Sequence, residues 1–188
     1  MDKITVWTRQ SEKILQDIEQ DSRYIVKREF IEEKMENHAG LYFDVYHWYA
    51  QKAQRIVPKP DDVLFPVWVS VTESSKLGVT EGNVFLELEV DRNDLIILNQ
   101  EKWGYVVNYM YIPQDDEDEA KHEALLAKYQ THDTAAYLSG FYPVIKSKII
   151  KSWERLFEND PVINDEMMGT LWEIRKEWIK NITTYSPV

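Results

Sequence analysis

Two segments in the middle of the chain alternate apolar and polar side chains, which is the period of a β-strand. In VFLELEV, residues 84–90, one face is apolar and the other carries Glu87 and Glu89. In FPVWVSV, residues 65–71, Trp68 and Ser70 lie opposite the aliphatic residues. We therefore expect strands at 66–72 and 84–90, with Trp68 either meeting a layer of helices or lining a cleft.

Helical patterns lie before and after these strands. A helix is predicted where apolar side chains recur three and four residues apart or where capping residues mark a start or a stop. The predicted helices are at 11–20, 27–37, 44–57, 101–112, 120–129 and 143–157. Pro113 is expected to end the helix at 101–112, and a further strand is expected at 4–8. Because strands and helices are mixed rather than alternating, the sequence predicts an α+β fold with a small, mostly antiparallel sheet flanked by helices.

The segment 170–185 fits two structures. Helical spacing is found among the apolar residues Leu171, Ile174, Trp178 and Ile182. The alternation of a strand is found in the first part of the segment, with one side formed by Thr170, Trp172 and Ile174 and the other by Leu171, Glu173 and Arg175. Periodicity alone leaves both open.

Composition limits the class of protein. A chain of 188 residues with 44% hydrophobic residues can bury one substantial core, so we expect a single domain over residues 1–188. With no cysteine, disulfides and thiolate metal sites are excluded. No run of 18 apolar residues is present, and no apolar leader precedes residue 4, so we expect a cytoplasmic protein.

The charge balance is acidic. Lys and Arg number 22 against 33 Asp and Glu, a net charge of −11, so direct binding to nucleic acid or to an anionic membrane is not expected. The strongest charge run, residues 114–119, has two interpretations: acidic residues that complement a helix dipole, or a docking site for a protein partner through Asp115, Asp116 and Glu117.

Motifs of several enzyme classes are absent from the sequence. The four histidines are scattered, and no H-E-x-x-H is present, so no metal site is expected. Neither a G-x-S-x-G elbow nor a glycine-rich phosphate loop occurs. Familiar hydrolases and Rossmann enzymes are therefore excluded.

Six segments together resemble a bacterial family catalogued as domain of unknown function 3841. They are VWTRQ at 6–10, FPVWV at 65–69, FLELEV at 85–90, NQEKWGYVVNYMYIP at 99–113, IIKSWERLF at 149–157 and TLWEIRKEWI at 170–179. The resemblance implies an opening strand at ITVWTRQ and a strand rather than a helix at 170–175. The loop at 73–83 lacks the family's Pro-Asp-Leu-Arg stretch, so no ligand contact is carried over from that arginine.

A weaker similarity, to the ADP-ribosyltransferase-like class, is by position only. It implies a ligand site at Thr8, Gln10, Trp68 and Ser70, NAD as the cofactor, and Glu173 as the catalytic carboxylate beside the ribose. Each residue also has a structural interpretation. Tryptophans anchor cores with the indole N–H on a carbonyl, Gln10 could hydrogen-bond a neighbouring strand, and Glu173 could pair with Arg175.

The sequence thus leads to two hypotheses of function. The first is a small-molecule or nucleotide-binding domain, with a transferase acting on NAD as its specific form and with its cleft near Gln10, Trp68 and Glu173. The second is an acidic protein-interaction module that regulates or inhibits another protein.

Overall fold

A computed structural model describes residues 2–35, 39–158 and 162–186. The described residues fall into two compact units, one within residues 1–97 and 161–188 and the other within residues 98–160. The first unit contains nearly all of the sheet, and the second is helical. That the whole chain forms one domain stays a prediction.

The main sheet has six strands. They are β1 (Lys3–Ser11), β3 (Val67–Ser70), β4 (Asn83–Asp91), β5 (Ile96–Asn99), β6 (Met167–Leu171) and β8 (Ile179–Thr184). Their spatial order is β5-β6-β3-β1-β4-β8, and the pairs β1–β3, β1–β4, β3–β6 and β4–β8 are antiparallel. A second sheet joins β2 (Arg23–Tyr24) to β7 (Ile174–Arg175). The predicted α+β class and the mostly antiparallel sheet are confirmed.

The opening strand lies inside the sheet rather than at its edge. β1 pairs with β4 along its whole length and with β3 at Trp7, which lies opposite Ser70. Both sides of the strand therefore have a partner strand. This explains why a tryptophan so close to the N-terminus is ordered.

The segment at 170–175 is extended but not continuous. β6 pairs with β3 as far as Leu171, and the chain then leaves the main sheet and enters β7, where Ile174 lies opposite Tyr24. Between the two strands the Trp172 indole N–H donates to the Val57 carbonyl at 2.8 Å. This hydrogen bond anchors Trp172 in the core, as its structural interpretation implied.

The helices of the first unit are α1 (Ile14–Asp21), α2 (Arg28–Met35) and α3 (Ala39–Ala53). Those of the second unit are α4 (Gln100–Val107), α5 (Asp116–Lys128), α6 (Asp133–Leu138) and α7 (Pro143–Ser152), followed by a 3-10 helix at Trp153–Phe157. The sequence patterns had not indicated β5 or α6, which have only four and six residues.

Several predicted helix boundaries were wrong, including those of α1 (predicted at 11–20) and α3 (predicted at 44–57), and the structure shows the cause for α4 and α5. α4 ends at Val107, well before Pro113, because Asn108 caps it and Tyr109 takes a left-handed conformation with φ of 59°. α5 begins at Asp116, four residues earlier than predicted, because the acidic run is itself the first helical turn. In both places local hydrogen bonding, rather than the apolar pattern, sets the boundary.

An aliphatic core covers one face of the main sheet. Val6, Val67, Leu86 and Leu88 are each at most 1% exposed and pack with Ile14 of α1. Burying a side chain of this size contributes about 1.5–3 kcal/mol. The core therefore fixes which face of each strand is inward.

The core of the second unit is aromatic. The rings of Tyr109 and Tyr137 stack with centroids 4.6 Å apart, and Tyr137 lies 5.4 Å from the ring of Trp153. Trp153 is fully buried and donates its indole N–H to the Met110 carbonyl at 2.8 Å. Trp153 is thus a second core anchor of the kind expected from the sequence.

Within the described parts of the chain, no helix is both long enough and apolar enough to cross a bilayer.

Gly169 of β6 gives a test of this packing. A Cβ at this position would lie 2.8 Å from Leu95 Cδ1, 2.9 Å from Val71 Cγ1 and 3.0 Å from Val69 Cγ2. Since such overpacking costs about 1–3 kcal/mol, we expect Gly169→Ala to lower the free energy of unfolding by that amount in urea denaturation. Gly78→Ala is the control, because a Cβ there meets nothing within 4 Å. Equal stability of the two variants would contradict the packing described.

Candidate functional site

The two faces of the main sheet differ in chemistry. Directly opposite residues of an antiparallel pair share a face, and Trp7 lies opposite both Ser70 and Glu87. Alternation along β1 and β3 adds Arg9 and Trp68 to the same side. We call this side the polar face, defined by Trp7, Arg9, Trp68, Ser70, Phe85 and Glu87. Five of these side chains are half-buried and Arg9 is exposed, in contrast to the fully buried aliphatic side.

Thr8 and Gln10 lie on the opposite, aliphatic side, where their partners across β4 are Leu86 and Val84. The Thr8 hydroxyl is buried; it donates to the Trp68 carbonyl at 2.8 Å and accepts a hydrogen bond from Gln10 Nε2 at 2.8 Å. These contacts join β1 to β3. The structure thus divides the four predicted ligand-binding residues, two on each face.

Helix α3 covers part of the polar face. The Tyr49 hydroxyl lies 2.6 Å from Thr170 Oγ1, and its ring centre lies 5.3 Å from that of Trp68. Tyr46 lies on the other side of Trp68, with ring centres 6.2 Å apart. Burial raises the pKa of Tyr46, and a hydrogen bond with Trp68 acts in the opposite direction. Trp68 therefore forms a fixed aromatic wall beside the open part of the sheet.

The loop between β3 and β4 borders the open part of the polar face. The Ser70 hydroxyl donates to the Ser75 carbonyl at 2.9 Å. Further along the loop, the Lys76 ammonium lies 5.7 Å from the centre of the Trp7 ring, and Arg9 Nη1 donates to the Gly78 carbonyl at 3.1 Å. The loop thus brings a second cation to the side of Trp7 and Arg9.

Carboxylates complete the polar face. The Trp7 indole N–H donates to Glu87 Oε2 at 3.4 Å, so Glu87 lies beside the ring. Glu89 lies two residues further along β4. A hydrogen bond from Lys180 and another from Lys3 hold the pKa of Glu89 below its usual value. A flat ring, cations and carboxylates therefore share one half-exposed surface.

Glu173 lies apart from this surface, between β6 and β7. Its Oε1 accepts a hydrogen bond from Arg175 Nε at 2.6 Å, and its Oε2 lies 3.3 Å from Arg23 Nε. Arg23 also donates to Asp62 at 2.8 Å. The side chain of Glu173 is only 8% exposed. The pairing with Arg175 that the sequence suggested is present, in a buried position and with a second arginine.

The acidic run forms the start of α5. Asp115 is the N-cap, and its carboxylate accepts the Asp118 N–H at 2.8 Å. Asp116 and Glu117 occupy the first turn, where negative charge complements the helix dipole, and Glu117 lies 2.6 Å from Lys121. These contacts favour the structural interpretation, and a docking role stays a prediction.

No metal centre is found in the part of the chain that the structure describes, where no three His, Cys, Asp or Glu side chains are grouped to hold an ion.

Trp7, Arg9 and Glu87 were not singled out as site residues from the sequence. The alternation within each strand was visible, including the pair of carboxylates at Glu87 and Glu89. The register was not visible, and it is the register that places Trp7 opposite both Ser70 and Glu87.

Thr8→Val tests the structural role of the buried hydroxyl. The substitution leaves the Trp68 carbonyl and the Gln10 amide without this partner, so we expect it to lower the free energy of unfolding by about 1–2 kcal/mol. Thr5→Val makes the same chemical change on the other face of the same strand, and is expected to remain within about 0.5 kcal/mol of the original chain. Urea denaturation measures both variants. A neutral Thr8→Val would show that this hydroxyl does not join the strands.

Glu173→Gln tests the buried carboxylate. Because hydrogen bonds to charged groups are stronger than neutral ones, we expect a loss of about 1.5–3 kcal/mol in the free energy of unfolding. Glu177→Gln is the matched control, since Glu177 is exposed and lies four residues away. If thermal or urea unfolding gave the same stability for the two variants, the double pairing of Glu173 would be unimportant for the fold.

Comparison with known proteins gives a family and no activity. No curated protein and no solved structure matches the chain. One family does match, over residues 5–180, and it is described as Domain of unknown function (DUF3841). The match includes every residue of the polar face and Glu173. The chain therefore belongs to the DUF3841 family.

Proposed function

We propose that the protein binds a nucleotide-like small molecule on the polar face of its main sheet. The observation that carries this proposal is the grouping of Trp7, Arg9 and Glu87 on one half-exposed surface. An aromatic ring, a guanidinium and a carboxylate are the groups needed for a base, a phosphate and a ribose. The acidic run, by contrast, starts α5, and no contact among the described residues favours an interaction module.

The Trp7 ring would take the base. It is half-buried at the centre of the sheet, and its indole N–H bonds to Glu87, so its orientation is fixed before binding. Stacking of a base on an aromatic side chain contributes about 1–3 kcal/mol. Trp68, held by the tyrosines of α3, would limit the surface on one side.

Arg9 and Lys76 would take the phosphate. The loop after β3 brings Lys76, which also pairs with Glu73 at 2.8 Å, to the side of Trp7 and Arg9. A guanidinium forms charge-assisted hydrogen bonds with phosphate oxygens, and an ammonium adds a point charge. Glu87 would accept hydrogen bonds from ribose hydroxyls.

NAD belongs to this ligand class, and transfer of its ADP-ribose group is the reaction to test. The bond between ribose C1 and the nicotinamide nitrogen would break, nicotinamide would leave with the electron pair, and an acceptor hydroxyl would bond to C1 and lose its proton. A carboxylate beside the ribose stabilises the positive charge that develops. Glu87 is the polar-face carboxylate beside Trp7, whereas Glu173 is paired with two arginines.

Calorimetric titration with ADP-ribose and NAD tests the binding proposal. We expect saturable binding by the original chain, and affinity at least about tenfold lower in Trp7→Ala and Arg9→Met, the loss of one stacking or one charged contact. Arg55→Met is the control for charge, because Arg55 is an exposed arginine in the loop that follows α3. It should bind within about twofold of the original chain.

Two results would overturn the proposal: no saturable heat with either compound, or equal affinity in Trp7→Ala, Arg9→Met and Arg55→Met. Circular dichroism of each variant establishes that it is folded. Release of nicotinamide from NAD is measured separately, with Glu87→Gln and Glu173→Gln compared. Loss of release in Glu173→Gln alone would move the catalytic carboxylate to Glu173 and leave the binding surface in place.

A further inference from the structure

The second unit contains a cleft of about 350 Å³ with a basic lining. This volume is within the range of small-molecule sites. The charged and aromatic side chains that line it are Tyr111, Lys148, Lys151, Glu154, Arg155 and Glu158. Three cations thus face two carboxylates in a chain that is strongly acidic as a whole.

Two of the three lysines of α7, Lys148 and Lys151, lie on the side of the cleft. The helix, PVIKSKIIKS, contains three lysines and no acidic residue. Ile145 and Ile149 are buried, so they fix the inward side of the helix. Lys148, Lys151 and Arg155 follow one another at spacings of three and four residues, which places them together along the cleft.

Tyr111 holds two of these cations in position. The Lys148 ammonium lies 4.7 Å and the Arg155 guanidinium 5.3 Å from the centre of its ring. Arg155 also donates to the Ile112 carbonyl and lies 3.2 Å from Asp118. A cation held by an aromatic ring and by neighbouring acceptors loses little conformational freedom when a ligand binds.

The tyrosine itself is rigid. Its ring stacks on His122 with centroids 4.0 Å apart, and its hydroxyl donates to the Asp118 carboxylate at 2.7–2.8 Å. His122 in turn lies 2.6 Å from Asp133, which also accepts the Tyr111 backbone N–H. The floor of the cleft is therefore built before any ligand arrives.

We propose that this cleft binds the phosphate monoester group of a small hydroxylated molecule. Lys148, Lys151 and Arg155 surround a group that carries about −1.5 to −2 charges at neutral pH. Glu154 and Glu158 repel a bare anion but accept hydrogen bonds from hydroxyl groups beside it. The cleft therefore favours a sugar phosphate over inorganic phosphate. This site lies in the second unit and does not depend on the polar face of the sheet.

Calorimetric titration with ribose 5-phosphate tests the site, with ribose and inorganic phosphate as comparison compounds. We expect ribose 5-phosphate to bind, ribose not to bind, and inorganic phosphate to bind at least about tenfold more weakly than the ester. Binding should weaken as ionic strength rises, because the contacts are ionic. Lys148→Met and Lys151→Met should each reduce affinity about tenfold.

Lys121→Met is the matched control, since Lys121 is an exposed lysine of the same unit, in α5, and pairs with Glu117. It should bind ribose 5-phosphate within about twofold of the original chain. Absence of binding, or equal binding by the Lys121, Lys148 and Lys151 variants, would overturn the proposal. Equal affinity for inorganic phosphate and the ester would also overturn it, by removing the role of the hydroxyl groups. Trp7→Ala should leave the titration with ribose 5-phosphate unchanged. A failure of the sugar-phosphate proposal can therefore be distinguished from a failure of the nucleotide proposal.

Discussion

The pairing of β1 with strands on both of its sides is the constraint on which the first unit depends. β4 accompanies β1 over nine residue pairs, and β3 joins it at Trp7. A shift of one residue in this register would exchange the two faces, sending Val6 to solvent and Trp7 into the aliphatic core. The burial of Val6 against Leu86 and Leu88 makes that shift costly, because each such side chain contributes about 1.5–3 kcal/mol. The register that stabilises the core is therefore also the register that assembles the polar face.

The two faces of the sheet are covered differently, and this difference leaves a surface for function. Aliphatic residues and α1 close one side. On the other side α3 presents tyrosines to Trp68 and Thr170, covering the part near β3 and β6. Trp7, nearer the middle of the sheet, stays half-exposed beside Glu87. This polar, aromatic surface is held in place by the strands that carry it and stays partly exposed to solvent. Such a surface is suited to a flat, charged ligand.

Several carboxylates of the chain serve the structure. Asp115 caps α5, Glu173 joins β6 and β7 to β2 through two arginines, and Asp118 fixes Tyr111. Hydrogen bonds from Gln114 and Tyr111, with the nearby Arg155, lower the pKa of Asp118, so this carboxylate stays ionised at neutral pH. Because these carboxylates have internal partners, the net charge says little about where ligands bind. Local groups of cations, at Arg9 and along α7, say more.

The sequence by itself determined the α+β class, the period of β1, β3 and β4, and the tryptophan anchors, since these follow from neighbours within a few residues. The same holds for the acidic first turn of α5, although its start was placed four residues too late. Tertiary structure decided the register of β1, which separates Thr8 from Trp68 by face, and the position of Glu173 between two arginines. It also decided that Lys148 and Arg155 meet over Tyr111. The physical reason is the same in each case: contacts between residues far apart in the chain depend on strand order and packing, which local periodicity does not encode.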